Sequence, residues 1–217
     1  MQWINHFSQN KIAFYIYKLN KGDSLIYQKN KKYNNSSIIL NGIVFLLKIF
    51  TNKEIISLGI LTTNNILPDI NNEIYYYYKI IAIETTFLLS FKWSDIVYNK
   101  KIKKQLLQNI IISYQLTLNK YEIMNHIYSH KYMQYRLIQL IIFLSKEFGF
   151  FKNQQLIIPF KISQITISIL IGTNRSNVNK IIKKLYKMRL ISYYNQKKIY
   201  IKNPFLLNYY AIKSNIK

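Results

Sequence analysis

Between Ser163 and Leu185 two apolar stripes at helical spacing are separated by a single glycine, a pattern that few folds accommodate. Ile167, Leu170 and Ile171 share one face of a first helix. Val178, Ile181, Ile182 and Leu185 repeat at i, i+3, i+4 and i+7 on a second, and Gly172 stands between them. Glycine there supplies a left-handed turn that other residues adopt only at a cost. Ser163 and Asn174 precede the two helices as side-chain caps, and Ser168 is small where the helices must approach closely. The spacing predicts a helix-turn-helix.

The face opposite the buried stripe of the second helix carries Ser176, Asn179, Lys180, Lys183 and Lys187, with Arg175 at the N-terminal tip. Recognition helices present their N-terminal residues to base edges in the major groove. Arg175, Ser176, Asn179 and Lys180 are therefore the candidate base readers, because arginine pairs bidentately with guanine and lysine one turn on reaches a base or a phosphate. Lys183, Lys187, Lys197 and Lys198 are candidate phosphate contacts, which set affinity and register rather than sequence preference. A single solvated lysine would mean little. The combination of Ser168, Gly172, Arg175 and the buried spacing points to double-stranded DNA.

Charge supports this, but only through its distribution. The formal net charge is +23, and Ile, Lys, Asn and Tyr make up 113 of 217 residues. All four have A/T-rich codons, so an A/T-biased genome accounts for much of the total lysine. It does not account for the asymmetry: up to Glu147 there are 18 basic and 8 acidic residues, and beyond it 13 basic and none acidic. Such a segment is selected by a polyanion with a groove. The composition fits a plastid, or otherwise a bacterial cytoplasm. Met1-Gln-Trp-Ile-Asn-His has neither a signal-peptide core nor transit-peptide character, and no apolar run approaches the ~18 residues that span a bilayer. No membrane partner is expected. The alternative function is a non-specific RNA-binding or nucleoid protein that has lost sequence recognition.

Upstream, residues 12 to about 92 alternate short apolar runs with turn signals. Ile12–Leu19, Ser37–Leu40, Ile43–Phe50, Ile55–Leu61, Ile74–Ile83 and Thr86–Phe91 read as strands, and Asn41-Gly42 is a type I′ hairpin signal. A small antiparallel barrel or roll is expected. From about Asp95 the period becomes helical. Leu107, Ile111, Tyr114, Leu118, Tyr121 and Tyr128 mark a helix of roughly 30 residues, long enough that a symmetric dimer seam is its natural partner. A second helix, Met133–Phe148, ends at Gly149 as a C-cap, and Leu156–Ile158 forms a short strand. Leu190–Tyr194 and Lys198–Lys202 around Asn195-Gln196-Lys197 form a hairpin, the wing of a winged helix, and Pro204 opens a tail without assigned structure. The expected class is α+β, in three parts: a β-roll sensor-like domain over 1–98, a long dimerisation helix over 99–132 and a winged helix-turn-helix DNA-binding domain over 133–217.

The stretches Tyr135-Arg136-Leu137, Lys146-Glu147-Phe148-Gly149, Ile162–Leu185 and Leu190-Ile191-Ser192 resemble the C-terminal half of the Crp/Fnr family. They are most similar to its cyanobacterial nitrogen-control branch and the plastid-encoded relatives of that branch. Ile38–Leu46 resembles a hairpin of the family's cyclic-nucleotide-binding-like β-roll, and the long helix its dimerisation helix. The resemblance implies a homodimer that binds a two-fold DNA site and engages RNA polymerase. It places Arg175 and Lys180 at base-reading positions and Ser163, Gln164 and Asn174 near phosphates. Lys180 stands where the family usually has arginine, and Ser176 where the cAMP-responsive members have an acid.

The sensor half departs further from the family. No Gly-Glu…Arg-Ser phosphate cassette is present, and no arginine precedes Arg136. Where oxoglutarate-sensing members carry arginines, this chain has Tyr76 and Ile112. Without a bidentate clamp, and with lysine a poor substitute, neither a cyclic nucleotide nor 2-oxoglutarate is expected as effector, which stays unassigned. The absence of cysteine excludes an iron–sulfur sensor and a thiolate metal site. His126 and His130 are four apart, yet no carboxylate or cysteine completes a metal site. The Tyr75–Tyr78 run alternates faces of a strand, so half of it belongs to the core. No catalytic constellation and no cofactor site is present.

Overall fold

A computed structural model describes residues 2–27, 35–67, 75–99, 101–193 and 198–213. The chain divides into two compact units, Met1–Met124 and Asn125–Lys217, and the long helix runs from one into the other.

The first unit opens with helix α1 (Gln2–Gln9), which buries Trp3 and Phe7. Eight strands follow: β1 (Phe14–Leu19), β2 (Ser24–Tyr27), β3 (Asn35–Asn41), β4 (Ile43–Phe50), β5 (Ile55–Thr62), β6 (Ile66–Leu67), β7 (Tyr76–Ala82) and β8 (Thr86–Lys92). They form two antiparallel four-stranded sheets of order β1-β8-β3-β6 and β2-β7-β4-β5. The apolar runs of β3 and β8 are buried on both faces. Ile39 and Leu88 join Val44, Leu46, Leu61 and Ile80 in one core cluster. Ile38, Leu89 and Phe91 join a second with Trp3 and Phe7 of α1 and with Leu106 and Ile110 of the long helix. Strands covered on both sides lose the polar-out alternation, hence Ser-Ile-Ile-Leu and Phe-Leu-Leu in the sequence.

Asn41-Gly42 does not make the expected hairpin. β3 pairs with β8 and β6, whereas β4 pairs with β5 and β7, so the chain crosses between sheets at this dipeptide. Gly42 has φ +109°, and a side chain there would run into Thr86, backbone included. The glycine serves a crossover at close quarters. Local turn preference yielded to the larger area buried by separating the two strands.

After the short helix α2 (Trp93–Val97) comes the long helix α3 (Lys104–Ser129). It buries Leu106, Ile110, Ser113, Thr117, Met124 and Ile127. Thr117 completes the edge of β6: Ile66 N donates to its Oγ1 (2.9 Å), and the hydroxyl faces Ile66 O (3.1 Å) and Ser113 O (2.9 Å). Thr117→Val is expected to cost about 1–3 kcal/mol, because it strands a buried backbone N–H. A thermal melt should show the loss as several degrees in Tm. Of the stripe expected to form one seam, Leu107, Ile111 and Leu118 lie on the exposed side with Ile112 and Leu116, but Tyr114 and Tyr121 pack against the core of the roll and Tyr128 is half-buried.

The second unit holds the end of α3, then α4 (Met133–Phe148), β9 (Phe150–Lys152), β10 (Gln155–Ile157), α5 (Gln164–Ile171), α6 (Arg175–Lys187), β11 (Ile191–Tyr193), β12 (Ile199–Ile201) and α7 (Pro204–Lys213). The sheet order is β11-β12-β10-β9, with Ile191 paired to Ile201 in the expected hairpin. Its turn, Asn195-Gln196-Lys197, lies outside the described residues. α4 buries Leu137, Ile138, Leu140, Ile141 and Leu144 and packs against α5, α6 and α7.

Three readings of this half need correction. Gly149 ends α4 in extended conformation (φ −68°, ψ 145°), not in the left-handed cap expected of it. Glycine fits there because a Cβ would collide with Ser145 O and crowd Leu156. Pro204 opens helix α7 rather than a tail, with Leu206 N donating to Asn203 Oδ1 (2.9 Å) and Leu207 buried. Asparagine at the cap followed by proline at the first helical position is a helix-start signal. β9 was not anticipated; Asn153 and Gln154, both at positive φ, turn it tightly into β10.

Candidate nucleic-acid interface

The helix pair forms as its local chemistry requires. Ser163 Oγ accepts from Thr166 N (3.0 Å) and starts α5. The helix ends at Gly172 in the left-handed region (φ 66°, ψ 50°), with Thr173 N donating to Ser168 O (2.9 Å). Asn174 Oδ1 then accepts from Asn177 N (2.8 Å) and starts α6. Ile167, Ser168, Leu170 and Ile171 are buried on α5, and Val178, Ile182 and Leu185 on α6. Ile181, expected inside, is only half-buried.

The solvent face of α6 gathers the predicted readers. Arg175, at the helix tip, and Ser176, Lys180, Lys183 and Lys187 are exposed, and Asn179 is half-buried. Asn174 is exposed beside the tip, whereas Ser163 and Gln164 are half-buried at the start of α5. Lys198 is half-buried as the chain enters β12, and Lys197 lies outside the described residues. Lys184 belongs elsewhere: its Nζ donates to Gln134 Oε1 on α4 (3.0 Å). With no acid after Glu147, this face presents donors and positive charge suited to phosphates and purine edges.

Two groups of residues escaped the sequence reasoning. Asn177 Nδ2 donates to Thr173 Oγ1 (3.1 Å) and ties the turn to the reading helix. Tyr128 and Arg136 seat the same turn from α3 and α4. Neither has a local sequence signal for this role, since each reaches an α5 carbonyl more than 30 residues away.

Tyr76 lies under Lys48, whose Nζ is 3.5 Å from its ring centroid, and packs edge-on against Tyr78. Ile112 instead lines a cavity of about 150 Å³ with Gln2, Trp3, Asn64, Asn109, Ser113 and Leu116. The fold does not bring the two positions together in that cavity. In the Tyr75–Tyr78 run, Tyr75 and Tyr77 are exposed and Tyr76 and Tyr78 half-buried, the alternation of a strand.

His126 and His130 stack edge to face, 5.2 Å between centroids. Among the described residues no group of three or more metal-ligating side chains occurs. Burial first, then the neighbouring His126 and Arg136, hold His130 below its ordinary value of 6.5. The unfolded chain therefore takes up this proton at higher pH than the folded one, and stability falls as pH drops below about 6.5. Melting curves between pH 7.5 and 5.5 should show that decline, and His130→Gln should flatten it.

Comparison with known proteins matches these features. Residues 135–210 match the Crp-like helix-turn-helix domain. A protein of Porphyra purpurea, provisionally named HTH-type transcriptional regulator ycf28, is 29% identical over 212 residues, covering 95% of this chain and 86% of its own. Among solved structures, a cyclic nucleotide-binding domain containing protein from Listeria monocytogenes EGD-e superposes with TM-score 0.74 at 13% identity, covering 93% of this chain and 96% of the other. A CooA mutant from Carboxydothermus hydrogenoformans superposes at 0.73 and 18%, covering 91% and 88%. A CRP/FNR-family transcriptional regulator from Thermus thermophilus superposes at 0.70 and 15%, covering 91% and 98%. At such identities the structural matches establish a shared fold.

Proposed function

We propose that this chain is a DNA-binding transcription regulator of the Crp/Fnr kind, supported by its Crp-like helix-turn-helix domain over residues 135–210 and by its 29% identical relative, and that it acts as a homodimer on a two-fold symmetric DNA site. Each protomer lays α6 in a major groove. The carrying observation is the solvent face of α6, where Arg175, Ser176, Asn179 and Lys180 lie over the first two turns and Lys183 and Lys187 follow on the same side. The first four read bases. Ser163, Gln164, Asn174, Lys183, Lys187, Lys197 and Lys198 hold the backbone and set register.

Dimerisation is supported by the apolar stripe of α3, where Ile111 is 57% and Leu118 60% exposed. A helix seam of this kind juxtaposes two reading helices and makes the site palindromic. The family relationship supports RNA polymerase as the second partner. The A/T-biased composition supports a plastid as the compartment. The missing arginine clamp supports an effector other than a cyclic nucleotide or 2-oxoglutarate. In domain terms, the expected roll (1–98) and winged helix-turn-helix (133–217) flank a linking segment (99–132) whose helix, α3, spans Lys104–Ser129 and is the dimerisation element.

The test is selection from a random duplex library with the full chain, followed by competition. A two-fold consensus held against ~10³-fold excess of random DNA is expected. Equal displacement by any duplex or by RNA would replace this function with that of a non-specific nucleic-acid binder. Lys183→Ala with Lys187→Ala is expected to weaken binding to all sequences alike and to lower the salt slope by about 2 per protomer, since each phosphate contact contributes roughly 0.9. A changed consensus with an unchanged slope would move these lysines to base reading.

A further inference from the structure

The turn that joins α5 to α6 is gripped from below by two side chains. Arg136, on the first turn of α4, donates from Nε to His130 O (2.9 Å) and from Nη1 to Ile171 O (3.3 Å). Tyr128, near the end of α3, donates from its hydroxyl to Ile169 O (3.3 Å). The guanidinium carbon lies 5.7 Å from the Tyr128 ring centroid, so the two support each other. Ile169 and Ile171 belong to the last turn of α5, whose carbonyls form its negative pole; Ile169 O also accepts from Gly172 N (3.4 Å). Gly172 lies against the same pair: a Cβ there would sit 3.0 Å from the Tyr128 ring and 3.5 Å from Arg136 Nη1.

The geometry assigns Arg136, with Tyr128, as the positioning residue for sequence recognition: it fixes the turn from which α6 and Arg175 project, without itself touching DNA. α6 begins three residues after Gly172, so rotation of this turn carries Arg175 away from its base edge. The phosphate-binding lysines tolerate such rotation, because an ammonium is a point charge on a flexible stem. The planar fork holds carbonyls on two segments at fixed geometry, which a single ammonium on a flexible stem does not reproduce. In a chain with 28 lysines and 3 arginines, the residue at 136 is one of the three.

This inference rests on the proposed sequence-specific function, and one experiment separates the two. The full chain, Arg136→Lys and Tyr128→Phe are compared by thermal melt, by affinity for random duplex and by affinity for the selected site. Arg136→Lys is expected to keep its fold and its affinity for random duplex. Its ratio of specific to non-specific affinity should fall at least tenfold, with discrimination lost across the half-site rather than at one base pair. Tyr128→Phe should show the same pattern more weakly. A folded Arg136→Lys whose ratio stays within threefold of wild type overturns the assignment. Should Arg136→Lys fail to fold, Tyr128→Phe decides, and an unchanged ratio there overturns it equally. A wild-type chain without a selected site refutes the proposed function instead.

Discussion

Arg175→Ala is expected to erase discrimination at one base pair of each half-site while leaving the rest of the consensus in place. Arg175 is the first residue of α6, exposed and free of any role in the core, so its removal leaves packing untouched. A bidentate arginine–guanine pair contributes about 1–3 kcal/mol of discrimination, roughly 5- to 150-fold per half-site. In a palindromic site the loss occurs twice. Selection from random DNA at fixed salt reads it directly: one column of the half-site should become uninformative. An unchanged consensus would remove Arg175 from base reading and leave Lys180, one turn further, as the principal reader. Arg175→Lys should recover affinity but not discrimination, because the ammonium restores charge without the fork.

Ile111→Glu with Leu118→Glu is expected to convert the protein to a folded monomer. Both side chains are exposed on α3, seven residues apart on one face, while the helix is held to its own roll through Leu106, Ile110 and Thr117 on the other. The exchange therefore spares the roll and places like charges across a two-fold seam, which is repulsive. Two linked reading helices bind with an avidity about 10²–10⁴ above that of one, so affinity for the selected site should drop by that order. Affinity for a single half-site should stay nearly constant. Sedimentation and DNA titration check both parts. A wild-type chain that sediments as a monomer, or a variant that remains a dimer, would show that the seam lies elsewhere.

The reader was legible before any coordinates because its signals are local. Ser163, Gly172 and Asn174 each act within four residues, as two caps and a left-handed turn. The buried stripe of α6 follows from helical period, which needs no knowledge of the partner surface. α7 carries an equally local signal in Asn203-Pro204, a cap followed by proline at the first helical position. Helical period marked α3 but not its faces: Leu107, Ile111 and Leu118 of the stripe lie outside, whereas Tyr114, Tyr121 and Tyr128 pack inward.

Pairing was another matter. Asn41-Gly42 has the composition of a tight hairpin, yet β3 and β4 lie in different sheets. A turn signal reports which backbone angles are allowed, not which strands will pair, and pairing is decided by the area that two sheets and two helices bury together. Gly149 and Gly42 show the same division. Sequence marks both as places for glycine, and only the neighbours, Ser145 with Leu156 in one case and Thr86 in the other, give the reason.

By itself the sequence determined the helix pair, its caps, the residues on its outward face and the acid-free surroundings, because period, capping and charge are properties of neighbours along the chain. Tertiary structure alone decided the crossing between sheets, the burial of Thr117 at a sheet edge and the grip of Tyr128 and Arg136 on the α5 carbonyls. These contacts join residues tens of positions apart, and no local preference encodes a partner at that distance.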